Sequence, residues 1–141
     1  MTRFNITLQQ GVDFVLKCLE KMWGGELFIP KIPSYRITDV AKAVNGECRV
    51  EIVGIRPGEK LHEEMITETD ALNTIEFGDY YVIMPAAKTS WNVEQFIHES
   101  DEHPGSNIPE GYSYNSSTNP NFLSISDLQK LIQAIEVHEK D

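Results

Sequence analysis

Apolar residues recur at three- and four-residue steps from Val12 through Val15, Leu16, Leu19, Met22 and Trp23, which is the period of one face of an α-helix. Thr7, with Gln10 three residues later, has the spacing of a capping box and predicts where that helix starts. Gly24-Gly25 predicts where it stops. Glu26–Ile29 then reads as a short buried strand, and Pro30 and Pro33 enforce an extended crossing segment. Thr38 and Asp39 predict a second helix that runs to Val44 and ends at Asn45-Gly46. Arg49–Val53 alternates apolar and polar, as a half-buried strand does, and Asp79–Met84 is another strand candidate closed by Pro85. Ser124, with Asp127 three residues on, starts a last helix carrying Leu128, Leu131, Ile132 and Ile135 on one face.

Alternating helices and strands indicate an α/β layer arrangement. The 141 residues suffice for one core, so the expected organisation is a single domain over 1–141. Within it, 1–85 forms an α/β core, 86–123 a loop-rich extension and 124–141 a C-terminal helix. The extension is rich in Asn, Ser, Pro and Gly, with Trp91, Phe96 and Tyr112 as scattered apolar anchors. A formal net charge of −10 repels phosphate backbones and anionic lipid, so neither nucleic acid nor a membrane surface is expected as a partner. No apolar run approaches the roughly 20 residues of a membrane-spanning helix, and no signal peptide opens the chain, which points to a cytoplasmic location.

The cysteines and histidines offer no metal centre. Cys18 and Cys48 lie far apart and outside any CxxC pair, and Cys18 falls on an apolar helical face as an inert thiol would. His62 precedes Glu63-Glu64 but lacks the second histidine of an HExxH helix. The acidic pairs Glu63-Glu64 and Asp101-Glu102 read as solvated faces, since adjacent carboxylates seldom converge on one atom.

The segment Gly54-Ile-Arg-Pro-Gly-Glu-Lys-Leu-His-Glu63 carries the most chemistry. Proline and glycine fix a turn of type I or II, and that turn projects Arg56 and Glu59 three residues apart. A guanidinium fork matches phosphate oxygens, and a carboxylate accepts hydrogen bonds from a ribose diol. Spacing alone better suits a turn whose charges are merely solvated. Lys31 reads as a solvated surface lysine, and Lys60 and His62 as braces of the turn.

Four segments in order resemble the inverting UDP-N-acetylglucosamine 4,6-dehydratases of the extended short-chain dehydrogenase/reductase superfamily. They are Met1-Thr-Arg-Phe-Asn-Ile-Thr-Leu8, Gly11-Val-Asp-Phe-Val15, Gly25-Glu-Leu-Phe-Ile-Pro-Lys-Ile-Pro33 and Gly54–Glu63. The likeness continues through Asp79–Val82 and Gly111–Asn115 and is weak between Pro85 and Pro109. It implies the small C-terminal substrate-binding domain of that superfamily, lacking the Rossmann half. It also implies a UDP-sugar ligand, with Arg56 and Arg3 on the pyrophosphate and Glu59 on the uridine ribose. In the family, NADP accepts and returns the hydride. This sequence contains neither a GxxGxxG loop nor a YxxxK pair, so no catalytic residue and no cofactor is expected for this chain alone. Asn5 stands where the family carries an aromatic residue. Since the MTRF segment lies inside full-length relatives, Met1 is expected to mark a fragment, with a separate or deleted Rossmann half as its partner. The resemblance favours homo-oligomeric assemblies of the full-length enzyme. Two further readings stay open: a closely related epimerase activity, and a standalone nucleotide-sugar-binding or interaction module without catalysis.

Overall fold

A computed structural model describes residues 1–85, 92–99 and 103–138. Trp91 and the Asp101-Glu102 pair lie outside them. In chain order the first elements are β1 (Thr2–Phe4), α1 (Leu8–Lys21), β2 (Leu27–Pro30), β3 (Ser34–Arg36), α2 (Ile37–Val44), β4 (Glu64–Ile66) and α3 (Glu68–Ala71). They are followed by β5 (Thr74–Glu76), β6 (Tyr80–Ile83), α4 (Val93–Glu99), β7 (Ser106–Asn107), β8 (Tyr114–Asn115) and α5 (Ile125–His138). The fold is mixed α/β with small antiparallel sheets, and it divides into two compact units. One comprises Ile6–Lys31 and Glu64–Tyr114; the other comprises Met1–Asn5, Ile32–Glu63 and Asn115–Asp141.

The unit built from Ile6–Lys31 and Glu64–Tyr114 begins with the expected capping box. The Gln10 N–H donates to Thr7 Oγ1 at 3.2 Å, and the Thr7 N–H donates to Gln10 Oε1 at 2.9 Å. After α1, Gly24 and Gly25 take positive φ values of 109° and 92°, while the Glu26 carboxylate accepts from the Trp23 and Gly24 N–H groups. The sheet runs β2-β6-β5-β7. Its strand β6 is buried at Tyr80, Tyr81 and Val82, and with Ile75, Phe77 and Phe96 it forms an aromatic-rich core. The Phe77 ring stacks on Tyr80 at 4.9 Å, and Phe96 meets Phe77 and Trp23 edge-on. Thus the stretch expected to be loop-rich contributes a helix, α4, whose Phe96 completes the core. Ile97, beside it on the same helix, packs against that core as well.

Lys31 departs from the solvated role expected of it. Its backbone N–H donates to the Asp79 carbonyl, and its ammonium donates to Glu76 Oε1 at 2.7 Å and to the Phe77 and Gly78 carbonyls. It also lies 4.8 Å from the centre of the Tyr81 ring. Pairing of Pro30 with Tyr80 places the next residue over the 76–79 turn, and the ammonium satisfies carbonyls that the turn leaves unpaired. Lys17 acts similarly, with 2.7 Å bonds to both Asp79 carboxylate oxygens.

The helix α1 keeps most of its apolar surface in water. Phe14 packs edge-on against Tyr80, yet Leu8, Val12, Val15, Leu16 and Leu19 are 86%, 45%, 57%, 55% and 60% exposed. An amphipathic stripe normally faces a core; this one lines an open groove of about 500 Å³.

The second unit has a different interior. Its strands β1 and β3 pair antiparallel from Thr2↔Arg36 to Phe4↔Ser34, and α2 packs on α5. Among its described residues the buried side chains are mostly polar: Thr2, Ser34, Ser116 and Asn119, with Leu128. Each has partners. Asn119 Nδ2 donates to Ser34 Oγ and the Ile32 carbonyl, both at 2.9 Å. Thr2 Oγ1 and Ser116 Oγ are 2.7 Å apart. Ser124 caps α5 as expected, with its Oγ accepting from the Asp127 N–H and donating to Asp127 Oδ2. The second helix begins at Ile37 without a side-chain cap, and Asp39 instead pairs with Arg36 at 3.7 Å.

Arg49–Val53 forms no strand in the structure. Ile52 and Val53 are 93% and 84% exposed. Their alternation encodes a strand, but a strand exists only where a neighbour takes up its backbone N–H and C=O groups, and no described residue does so.

Replacing Ser116 by Ala removes the hydroxyl from a fully buried position and leaves the Glu63 N–H without its acceptor. Urea unfolding should show a loss of about 1–3 kcal/mol. A second outcome concerns acid. The hydrogen bonds from Thr67 and Ser124 hold the carboxyl groups of Asp70 and Asp127 below the ordinary aspartate value of 3.8. A depressed carboxylate stabilises the fold above its unfolded pKa and loses that effect as pH falls through its folded pKa. Helix signal from α3 and α5 should therefore hold down to about pH 4 and fray below it, as amide chemical shifts measured from pH 5 to 2 would report. Asp127→Asn should flatten that response for α5.

Candidate functional site

The residues expected to bind ligand lie in one unit, on a turn and the segment that leaves it. The Glu59 N–H donates to the Arg56 carbonyl at 3.0 Å, closing a four-residue turn. Pro57 holds the first central position and Gly58, with φ of +80°, the second. That combination is a type II turn, and only glycine takes such a φ without strain. Gly54, at φ +87°, bends the chain into it.

This turn sets the two charged groups apart in role. The Arg56 side chain is exposed, and no described group engages its guanidinium. Glu59 is half-buried, and one of its oxygens, Oε2, accepts from the Arg56 N–H at 3.1 Å. Its other oxygen remains available. The carboxylate is therefore oriented by the backbone of the turn it belongs to, while the arginine is free to follow a ligand.

Arg3 is held differently. Its NH1 donates to the Thr2 and Leu61 carbonyls, its NH2 donates to the Lys60 carbonyl at 2.9 Å, and its Nε lies 3.3 Å from Glu63 Oε1. A guanidinium has five N–H donors. Three hydrogen bonds and the Glu63 ion pair thus hold this guanidinium to protein among the described residues. The family resemblance assigned Arg3 to the pyrophosphate, and the structure adds that it clamps β1 to the segment after the turn.

Reading the sequence also missed the groups that hold that segment. The Thr2 N–H donates to the Leu61 carbonyl, the Glu63 N–H donates to Ser116 Oγ, and the Ser116 N–H donates to the Glu63 carbonyl. Thr2 Oγ1 lies 2.8 Å from His62 Nδ1. Hence His62 anchors the segment that leaves the turn to a threonine 60 positions away, and it bonds no described atom of the 56–59 turn itself. Lys60 contributes its carbonyl to Arg3 rather than its ammonium to the turn. No local signal marks Thr2 or Ser116 for this; only the fold brings them together.

The described residues do not fit a dinucleotide cofactor. Such a cradle places glycines between a strand and a helix so that backbone N–H groups reach a pyrophosphate. The junctions β1–α1, β3–α2 and β4–α3 contain no glycine. Nor do the described residues bring together a group of three or more His, Cys, Asp or Glu that could hold a metal ion. No described helix is long and apolar enough to cross a membrane.

Residues 1–85 match the family model described as polysaccharide biosynthesis protein. The UDP-N-acetylglucosamine 4,6-dehydratase (inverting) of Campylobacter jejuni subsp. jejuni serotype O:2 is 45% identical over 136 residues, which are 96% of this chain and 41% of that protein. The UDP-glucose 4-epimerase of Rickettsia akari is 27% identical over all of this chain and 41% of its own length. Among solved structures, that of Pen from Bacillus thuringiensis superposes with a TM-score of 0.74 at 26% identity, covering 96% of this chain and 39% of that one. The chain therefore spans about two-fifths of the length of the curated relatives it matches, and it belongs to the polysaccharide biosynthesis protein family.

Proposed function

We propose that this chain is the nucleotide-sugar-binding part of a UDP-N-acetylglucosamine 4,6-dehydratase of bacterial surface-glycan synthesis, and that it is inactive alone. The observation that carries the reading is the type II turn, which holds the Glu59 carboxylate by its own backbone and leaves the Arg56 guanidinium unengaged. Arg56 would bind the pyrophosphate as a charged fork, and the second oxygen of Glu59 would accept from a ribose hydroxyl. Arg3, already held by three backbone carbonyls, would add a weaker contact to phosphate. The 45% identity to a dehydratase supports the choice of sugar nucleotide.

In this reading the hydride and proton transfers belong to residues outside these 141. NADP would supply the redox chemistry in the complete enzyme, and none of its cradle is among the described junctions. What this part contributes is orientation of the UDP moiety. A second reading, a binding or interaction module without catalysis, draws on the apolar stripe of α1 left in water. The two differ in whether a polypeptide carrying GxxGxxG and YxxxK restores formation of a 4-keto sugar when added to this chain.

Arg56→Lys keeps charge but loses the fork, and Glu59→Gln keeps shape but loses charge. Each should weaken UDP binding by about 1 kcal/mol or more in calorimetry. Arg56→Lys should leave the melting temperature nearly unchanged, because an exposed side chain without partners shifts stability by less than about 0.5 kcal/mol. A large melting-temperature drop with UDP affinity intact would make the turn structural and sink the assignment.

A further inference from the structure

The buried hydroxyls beside the turn decide which nitrogen of His62 carries its proton. Ser116 Oγ accepts from the Glu63 N–H at 2.9 Å, so its own hydrogen needs another acceptor. The described acceptor for it is Thr2 Oγ1, 2.7 Å away. Thr2 Oγ1 then turns its hydrogen to His62 Nδ1, 2.8 Å away on the other side. The opposite order, with Nδ1–H donating to Thr2 and Thr2 to Ser116, would strand the Ser116 hydrogen at a position with 0% exposure. A buried donor left unsatisfied forfeits the hydrogen bond that water would have given it, which decides between the two. Nδ1 is therefore the acceptor, and the ring proton sits on Nε2.

His62 is exposed as a residue, and no described group takes its Nε2–H. The Arg3 guanidinium borders the same stretch of chain through the Lys60 and Leu61 carbonyls. We infer that His62 is a further ligand-binding residue, whose Nε2–H is fixed as a donor by the Ser116–Thr2 chain and is offered to a phosphoryl oxygen of the nucleoside diphosphate. This rests on the reading of the Arg56–Glu59 turn as a nucleotide site. It assigns His62 two faces: Nδ1 anchors the segment and Nε2 meets the ligand.

Two substitutions separate those faces by bond count. His62→Asn places an acceptor oxygen where Nδ1 lies and nothing at Nε2. His62→Gln places an N–H₂ donor where Nε2 lies and nothing at Nδ1. Nitrogen-15 NMR of the wild-type chain at neutral pH should show a protonated Nε2 and an unprotonated Nδ1. In calorimetry with UDP, His62→Asn should bind about tenfold more weakly at an unchanged melting temperature. His62→Gln should melt lower while its folded form keeps UDP affinity within about threefold. An Nδ1–H tautomer, or His62→Asn binding UDP as well as wild type, overturns the assignment. If wild type binds UDP and Arg56→Lys weakens it while His62→Asn does not, only this inference falls. If wild type shows no UDP binding at all, the nucleotide reading of the turn falls and the ligand role of His62 falls with it.

Discussion

The hydrogen bond between Thr2 and Ser116 joins residues 114 positions apart, and the geometry of the candidate site depends on it. Thr2 belongs to β1 and its backbone pairs with Leu61; Ser116 holds both backbone groups of Glu63. Between those two grips lie Lys60, Leu61 and His62, the residues that leave the turn. Fully satisfied buried networks are stiff and specific, because each member has one acceptable arrangement. Loss of either hydroxyl therefore perturbs more than a single bond, while the backbone bonds of Thr2 to Leu61 and Ser116 to Glu63 remain.

The two units solve the problem of an interior in opposite ways. One relies on stacked and edge-on rings around Tyr80 and Phe77, where dispersion and desolvation act without strict direction. The other buries Ser34, Thr2, Ser116 and Asn119, whose value lies in direction. The turn that carries Arg56 and Glu59 belongs to the second. That choice suits a binding site, since a polar interior places donors and acceptors at defined angles, whereas an aromatic one tolerates shifts. The two lysines of the aromatic-cored unit show the complementary device. Lys17 and Lys31 each lie over a ring of β6 and pair with a carboxylate at the surface, so they tie the β5–β6 turn down without entering the core.

Two elements encode burial or pairing that the described residues do not supply. The stripe of α1 is amphipathic in sequence yet open to water, and Arg49–Val53 has the alternation of a strand without a neighbour. Both occur in a chain that covers 41% of its 45%-identical relative. Burial and pairing are relational, so a pattern can be read from the residues while its partner cannot.

What the sequence by itself determined were the local features. The capping boxes at Thr7 and Ser124 and the turn at Arg56–Glu59 all follow from interactions spanning three or four residues, and the apolar patterns at Leu27–Pro30 and Tyr80–Ile83 marked strands whose pairing the fold supplied. The family, too, was legible, because its segments are contiguous. Only the tertiary structure decided that Lys31 is a staple, that Phe96 fills a core from within a polar stretch, and that Arg3 is held by three backbone carbonyls and Glu63. It alone decided that Thr2, His62 and Ser116 form one line of hydrogen bonds. These depend chiefly on pairs 19 to 114 positions apart, from Phe77–Phe96 to Thr2–Ser116, and one-dimensional spacing carries no information about which distant hydroxyl will meet which ring once the chain has folded.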